Sequence, residues 1–173
     1  SLRAMALELE RLANHVGDLG NLSGDIGFLP PAAYFGRMRG EFLNLLMELT
    51  GNRYGRGFVR PGGVTADLPD SMGISFEKKL KTLQKELRPV ADLFFETPSS
   101  FERLDGVGAI SPTTCRELGL VGPAARACGE DLDIRKDHPT GFYRFSHIPT
   151  VTSEGGDVFA RAMVRWLEIE RSL

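Results

Sequence analysis

The sequence predicts a mainly α-helical fold, an antiparallel bundle of about four long helices with long ordered loops and at most a little β-structure. Apolar residues recur at alternating steps of three and four in four stretches, the spacing that places them on one helix face. Proline and glycine mark boundaries between the stretches, most clearly at Leu29-Pro30-Pro31 and Gly51. The connection between the first two stretches is short, which favours antiparallel neighbours in a bundle.

Length and composition indicate a single globular domain. The chain has 173 residues, of which 42% are apolar and 25% are charged, ordinary values for a globular protein. The net charge of −2 gives no long-range attraction to nucleic acid, so we expect no nucleic-acid partner. We predict one helical core domain over residues 1–173.

The chain also has the pattern of a segment of a larger subunit. It begins and ends inside helical patterns without a starting Met, so we expect an internal fragment that is inactive alone. Such a fragment exposes apolar surface, through which it could dimerise in a crystal. Cys115 and Cys128 form no CxxC pair, and the chain has only three histidines, so we expect it to hold no metal itself.

The first helix carries a polar stripe beside its apolar stripe. The apolar stripe consists of Leu2, Met5, Leu9, Leu12, Val16 and Leu19. The polar stripe, with the same spacing, consists of Glu8, Arg11, His15 and Asp18. Two interpretations of His15 stay open: a structural residue within a surface ladder of ion pairs, or a ligand or base at a buried cavity.

Asp25 lies just past this helix, in the segment Gly24-Asp25-Ile26-Gly27, where the backbone can turn tightly. One interpretation makes Asp25 a turn-former. The other presents its carboxylate at a cavity wall, where it could exchange a proton or hold a histidine in one tautomer. The catalytic hypothesis requires His15 and Asp25 to converge on one cavity.

A second helix and an ordered loop follow. The helix ends at Gly51, and its apolar stripe consists of Phe35, Met38, Phe42, Leu45 and Leu49. Residues 52–73 are rich in glycine but include the stiff sequence RPGGV, which predicts a loop packed on the helices. Arg60 in this loop either hydrogen-bonds loop carbonyls, binds a carboxylate or polar headgroup, or raises the potential of a nearby redox centre.

Two further helices are predicted in the second half of the chain. Ser75 is the expected N-cap of the third helix, and Pro89 is expected to kink it or to start its last segment. The apolar stripe of the third helix consists of Phe76, Leu80, Leu83, Leu87, Val90 and Phe94. The fourth helix covers Asp157 to Leu173 and carries Phe159, Met163, Trp166 and Leu173 on one side.

The segment between these helices has a mixed pattern. Residues 107–110 are a short strand or simply extended, and residues 112–118 form one or two helical turns. Residues 119–149 have little periodicity, and Asp133, Arg135 and Lys136 within them indicate a charged network. The network is either a plain surface loop or part of a binding site.

Five features of the sequence, in this order, resemble one protein family. It comprises the large catalytic subunit of energy-converting NiFe hydrogenases, of the hydrogenase-4 and formate hydrogenlyase type, and the homologous 49 kDa subunit of respiratory complex I. The features are ELERLANHVGDLGNLSGDIGF, Arg39, GNRYGRGFVRPGGVTADLP, GVGAISPTTCRELGLVGPAARACGEDLDIRKDHP and GGDVFARAMVRWLEIERS.

The resemblance implies roles for particular residues. His15 and Asp25 match the family's His and Asp beside the active cavity and are the implied catalytic residues. The resemblance implies that Arg60, Asp133, Arg135 and Lys136 bind a cofactor, and we predict the same role for Arg11 on the polar stripe of the first helix. Arg60 matches the family's RPGGV loop near the iron–sulfur subunit, and Asp133, Arg135 and Lys136 match its DLRK motif.

The resemblance further implies a redox complex on the cytoplasmic side of the cell membrane. There this chain is a soluble, peripheral subunit that packs on an iron–sulfur small subunit with a 4Fe-4S cluster and contacts the membrane subunits only indirectly. The fragment itself binds no cofactor, whereas the full-length complex holds either a NiFe centre or quinone. The alternative is a non-catalytic helical scaffold that docks the partner subunit.

Two departures bear on the branch of the family. The two CxxC pairs that hold NiFe in the hydrogenases are absent from this chain. Gly55 stands where complex I subunits commonly have a histidine, which favours the hydrogenase branch. The sequence leaves both branches open.

Overall fold

Helices make up most of this chain. The computed structural model describes residues 2–173 apart from the side chain of Asp70, and the described part contains eight α-helices, one short 3₁₀ helix at Gly141–Arg144 and one two-stranded sheet. The helices are α1 (Leu2–Asp25), α2 (Leu29–Thr50), α3 (Asp70–Glu96), α4 (Pro98–Phe101), α5 (Pro112–Glu117), α6 (Gly122–Arg126), α7 (Ile134–Asp137) and α8 (Val158–Ser172). The prediction of a mainly helical fold with four long helices and little β-structure is confirmed.

The end of α1 differs from the prediction. The helix continues through Gly24, and Asp25 is its last residue instead of lying beyond it. Gly27, with φ 76°, then turns the chain: its N–H donates to Gly24 O at 2.9 Å, and Phe28 N–H donates to Ser23 O at 2.8 Å. This pair of bonds is a Schellman motif, which satisfies carbonyls that the helix end leaves free.

The seam between α1 and α2 is built from their predicted apolar stripes. The buried stripe residues are Leu9, Leu12, Val16, Leu19, Phe35, Met38, Phe42, Leu45 and Leu49, whereas Leu2 and Met5 are half-buried. The backbones approach closely at Gly20, where an added Cβ would lie 3.1 Å from Phe35 Cβ. Because only three residues connect the helices, this packing is antiparallel.

The third long helix, α3, begins earlier than predicted. It starts at Asp70, five residues before the proposed N-cap Ser75, because Pro69 O already accepts hydrogen bonds from the N–H groups of Met72 and Gly73. It continues through Pro89. An ion pair joins Arg37 to Glu86, and Lys79 Nζ lies 2.6 Å from Glu48 Oε1. The residue numbers of the paired side chains increase along α2 while those of their partners decrease along α3. These two helices are therefore antiparallel too.

The predicted ordered loop after α2 is a small hairpin pinned to α1. Strand β1 (Val59–Arg60) pairs antiparallel with β2 (Gly63–Val64), and Phe58 before them is fully buried. Arg3 in the first turn of α1 donates to Gly63 O at 3.0 Å and to Arg60 O at 2.6 Å. The last four residues of the predicted loop, 70–73, belong to α3 instead.

The chain divides into two compact units. The first comprises the described residues up to Leu93 together with Ile169–Leu173, and the second comprises Phe94–Glu168. The boundary therefore falls within α3 and within α8. A single domain over residues 1–173 stays a prediction.

Long-range hydrogen bonds organise the second unit. Asp157 is buried and precedes α8; its Oδ1 accepts from Ala160 N–H and its Oδ2 from Gly106 N–H, both at 2.7 Å. Gly156 N–H donates to Ala127 O at 2.7 Å, and Gly156 O accepts from Ile110 N–H at 3.0 Å. Residues 107–110 form turn and extended chain, not a strand, whereas the helical turns predicted at 112–118 are confirmed as α5.

The predicted apolar side of α8 is only partly correct. Trp166 is buried, but Phe159, Met163 and Leu173 are half-buried. The buried set of this helix also includes Ala160, Ala162, Val164, Glu168 and Ile169. Burial therefore covers more than one face of the helix, which a single stripe cannot describe.

Candidate functional site

The polar stripe of α1 combines an ion pair with a buried histidine. Arg11 Nε lies 3.2 Å from Glu8 Oε2, and the same oxygen accepts a hydrogen bond of 2.6 Å from Ser172 Oγ. His15 is only 8% exposed, whereas Asp18 is exposed. The predicted ladder is therefore present at Glu8 and Arg11, but His15 is not a surface member of it.

His15 and Asp25 do not meet within this chain. They lie ten residues apart on one continuous helix, which corresponds to about 15 Å along its axis. His15 is buried, and Asp25 is exposed at the helix end. A single small ligand cannot contact both side chains directly. Their catalytic roles stay predictions, and the two residues cannot act together on one small group.

Asp25 is followed closely in the sequence by exposed apolar residues. The turn after α1 leads directly into α2, whose first residue Leu29 is 69% exposed and whose Tyr34 is 53% exposed. An exposed carboxylate and exposed apolar and aromatic side chains on one short segment are the types of group that an apolar ligand with a carbonyl or hydroxyl requires.

Arg60 serves its own hairpin. Its Nε donates to Gly57 O at 2.9 Å, and the residue is exposed. Of its three proposed roles, hydrogen bonding to loop carbonyls is therefore confirmed. Binding of a headgroup and tuning of a redox centre stay predictions.

The charged network at residues 131–137 is confirmed, and its members bind one another. Buried Asp133 caps α7 by accepting from Arg135 N–H, and the Arg135 guanidinium donates to both of its oxygens, at 3.1 Å to Oδ1 and 2.7 Å to Oδ2. Asp137 Oδ2 accepts from Asp133 N–H at 2.9 Å. Arg135 also lies over the ring of Tyr143, 6.0 Å from its centroid. Cofactor binding by these residues stays a prediction.

Lys136 belongs to the exposed side of this network. Its Nζ lies 2.6 Å from Asp131 Oδ2. The hydrogen bond from Lys136 lowers the pKa of the Asp131 carboxyl below its usual value. Reciprocally, the hydrogen bond to Asp131 raises the pKa of Lys136. The pair therefore stays ionised over the whole neutral range.

A buried ion pair in the second unit escapes prediction from sequence. Arg126 Nε lies 2.5 Å from Glu168 Oε1, with side chains only 6% and 3% exposed, and Arg126 Nη1 donates to Leu132 O at 2.8 Å. The two residues are 42 positions apart, so no local spacing indicates that they meet. Removal of one partner from such a pair leaves a buried charge uncompensated.

A concave surface lies between two of the long helices, away from the predicted site residues. A groove of about 500 Å³ runs between α2 and α3, lined by Leu45, Leu83 and charged residues, and none of the predicted site residues lines it. Within residues 2–173 as described, no group of three or more His, Cys, Asp or Glu side chains is arranged to hold a metal ion. No helix of the described chain is both long and apolar enough to cross a membrane.

Known proteins match the chain over almost its whole length. It is 37% identical over 173 residues to an NADH-quinone oxidoreductase subunit of Thermus thermophilus, numbered 4 in that enzyme, covering 100% of this chain and 42% of the relative. It is 34% identical to an NADH-quinone oxidoreductase subunit of Desulfotalea psychrophila, covering 99% of this chain and 46% of the relative. The chain thus spans less than half the length of these curated relatives.

A solved structure shares the fold. It is a chain in the structure of the membrane-bound sulfane sulfur reductase, described as an archaeal respiratory membrane complex. The TM-score is 0.88 at 28% sequence identity, and the match covers 99% of this chain and 48% of the other.

Fold and matches together define a mainly helical subunit of the kind found in respiratory oxidoreductases. A model of the family described as the respiratory-chain NADH dehydrogenase 49 kDa subunit matches residues 25–173. The chain belongs to this family, as predicted. The hydrogenase branch of the prediction stays a prediction.

Proposed function

We propose that this chain forms the core of an oxidoreductase subunit in a membrane-associated respiratory complex, where the end of α1 lines the site of quinone reduction. The observation that carries the proposal is the family match over residues 25–173. The relatives named NADH-quinone oxidoreductase subunits support quinone as the substrate class. The protein would act on the cytoplasmic side of the membrane as a peripheral subunit.

The exposed residues that follow Asp25 in the sequence suit a quinone better than a charged substrate. Leu29 and Tyr34 offer exposed apolar and aromatic surface to a ring, and the Asp25 carboxyl offers an oxygen that accepts or donates a proton. Reduction of a quinone to the quinol consumes two electrons and two protons. In this proposal Asp25 holds or moves one of these protons at its carboxyl oxygen.

His15 has a different role in the proposal. His15 is buried, and it lies about 15 Å from Asp25 along the helix axis. In this proposal it therefore acts through neighbouring groups and not by direct contact with the quinone headgroup. Arg11 lies one turn before it on the same stripe and is held by Glu8. We assign both residues a positioning role in the wall formed by α1.

The electrons would come from a 4Fe-4S cluster in an iron–sulfur small subunit packed against this chain. Arg60, on the pinned hairpin, and the network of Asp133, Arg135 and Lys136 are the proposed contacts to that subunit or its cluster. Arg60 is exposed, and its place is fixed by Arg3, which suits a residue that presents positive charge to a partner.

A hydrogenase-type subunit is the second candidate, favoured by Gly55 in place of a histidine. The residues present here do not fit a NiFe centre, since the two cysteines form no CxxC pair and both are buried. Nickel and iron analysis of the purified complex, together with hydrogen-dependent dye reduction, separates the two candidates. Nickel in stoichiometric amount with hydrogen oxidation would replace the quinone assignment.

The Asp25→Asn variant tests the quinone proposal in the assembled complex. Loss of the titratable proton should lower kcat for quinone reduction by about 100-fold while complex assembly is unchanged. Glu10→Gln is the matched control, because Glu10 is an exposed acid on the same helix, and it should retain full activity. Quinone reduction within about twofold of wild type in Asp25→Asn contradicts the proposed role, and a non-catalytic scaffold then becomes the better assignment.

A further inference from the structure

The side chain of Arg126 joins parts of the second unit that are distant in sequence. Arg126 is the last residue of α6 and is only 5% exposed. Its Nε lies 2.5 Å from Oε1 of Glu168 on α8, and its Nη1 donates to Leu132 O at 2.8 Å. Its own carbonyl accepts a hydrogen bond of 2.9 Å from Ser153 N–H. One buried guanidinium therefore fixes the chain at Leu132 relative to α8.

Leu132 lies directly before the residue that caps α7. The side chain of Asp133 accepts from Arg135 N–H at 2.9 Å, and Asp133 N–H donates to Asp137 Oδ2 at 2.9 Å. These reciprocal bonds close the first turn of α7 on itself. A helix of only four residues is not stable in isolation, so its place depends on the contacts that hold its start.

Stability alone does not account for a buried pair of arginine and glutamate. The transfer of two charges out of water costs about as much as their attraction returns, and an apolar pair of similar volume is often at least as stable. Arginine adds a planar fork of several N–H donors, which can bind a carboxylate and a carbonyl at once. Arg126 uses its fork in this way, since Glu168 is bound at Nε and Leu132 O at Nη1. Glu168 thereby orients the fork toward Leu132 O.

We propose that Arg126, oriented by Glu168, is a positioning residue for the charged network at residues 131–137. It holds Leu132 O and thereby sets the place of the Asp133 cap, whose two oxygens bind the Arg135 guanidinium at 3.1 and 2.7 Å. The consequence for docking of the iron–sulfur small subunit rests on the proposed function, in which this network contacts that subunit.

Two variants of the assembled complex separate positioning from stability. The double variant Arg126→Met with Glu168→Leu removes both buried charges together, so that no charge is left uncompensated. Glu168→Gln keeps an oxygen that accepts from Arg126 but loses the negative charge. The matched control is Arg88→Met with Glu170→Leu, which removes an ion pair of the same two residue types outside the network.

Amide hydrogen exchange of α7, followed by mass spectrometry of the purified complex, is the first measurement. In the double variant the amides of residues 133–138 should exchange about tenfold faster, the change expected when one hydrogen bond of a charged group is lost, while the melting temperature stays close to that of wild type. Glu168→Gln should lower the melting temperature but keep the exchange of α7 within about twofold of wild type. The control pair should leave the exchange of α7 unchanged.

Copurification of the iron–sulfur small subunit is the second measurement. Because the network is the proposed contact to that subunit, the double variant should retain it about tenfold less well than wild type, and the control pair should retain it fully.

The contrary results have distinct meanings. Exchange of α7 at the wild-type rate in the double variant overturns the positioning role. Loss of protection that is equal throughout the second unit, or that also appears in Glu168→Gln, overturns it too, because the pair then serves overall stability. Faster exchange of α7 with unchanged retention supports the positioning role but contradicts the proposed contact between the network and the small subunit.

Discussion

The charged residues at 131–137 show that the local turn determines which acid each basic side chain binds. Alternating signs along this segment predict a network, and the network is present. Sequence cannot predict that Arg135 folds back onto Asp133, because the choice among three acids depends on the turn that Asp133 itself caps. For the same reason, the sequence places His15 and Asp25 near one another but cannot reveal that α1 runs unbroken between them.

The pair of Asp131 and Lys136 yields a prediction about pH. The pKa of Asp131 is lowered, so the pair contributes fully above the usual Asp pKa, and its contribution is lost as pH falls through the folded value. The pKa of Lys136 is raised, so the opposite loss occurs only as pH rises through the folded lysine value. Lys136→Met should move the Asp131 titration upward, toward the usual range, as followed by carboxyl NMR.

The control for this titration is Lys85→Met, which removes an exposed lysine of α3. It should leave the Asp131 midpoint unchanged. Because both members of the pair are exposed, neither variant should change the melting temperature measurably. An unchanged Asp131 midpoint in Lys136→Met would contradict the assignment of the lowered pKa to Lys136.

At the scale of elements, the end of α1 differs from the prediction, because the helix includes Asp25. Gly24 and Gly27 both resemble helix-ending residues, and sequence gives no reason to prefer one. Gly27 has φ 76° and Gly24 is helical, so the hydrogen bonds of Gly27 and Phe28 determine the helix end. The stripes of α1, α2 and α3 were predictable because their periodicity is local and strong.

This difference predicts opposite effects of the same substitution. Gly27→Ala should destabilise the protein by about 1 kcal/mol, because alanine is strained at positive φ. Gly24→Ala should stabilise it by up to about 1 kcal/mol, because an added Cβ meets nothing within 4 Å and alanine favours the helix. Urea unfolding of both variants measures the difference, and the reverse order would place the helix end at Gly24.

At the scale of the whole molecule, the two units differ in what the sequence reveals. The first unit is dominated by long helices whose faces can be read from spacing. The second is held by contacts between distant residues, such as Asp157 with Gly106 and Arg126 with Glu168. No local pattern encodes these contacts, which is why the loops of residues 97–156 were the least predictable part of the chain.

Gly156 is a tightly constrained position of the second unit. Its φ is 65°, and an added Cβ would lie 2.2 Å from Ile110 O. Gly156→Ala should therefore destabilise this unit by about 3 kcal/mol, since backbone strain and steric overlap add. Gly119→Ala is the control, with φ 63° but nothing within 4 Å, and it should cost only about 1 kcal/mol.

Amide hydrogen exchange measures this loss of stability separately in each of the two units. Amides of residues 104–160 should exchange faster in Gly156→Ala, while those of α1 and α2 should be the reference within the same sample. Equal loss of protection in Gly156→Ala and Gly119→Ala would mean that the contact with Ile110 O relaxes without cost.

The side chain of Arg39 lies against the backbone of α1 at Gly17, where an added Cβ would be 2.6 Å from Arg39 Cδ. This contact has an evolutionary consequence. Any side chain gained at position 17 displaces the arm at position 39, and a shorter residue at position 39 removes the reason for glycine at position 17. Substitutions at the two positions are therefore coupled through this contact. A lineage that exchanges Arg39 for a small residue is released to acquire alanine at position 17, and with it a more strongly helical α1.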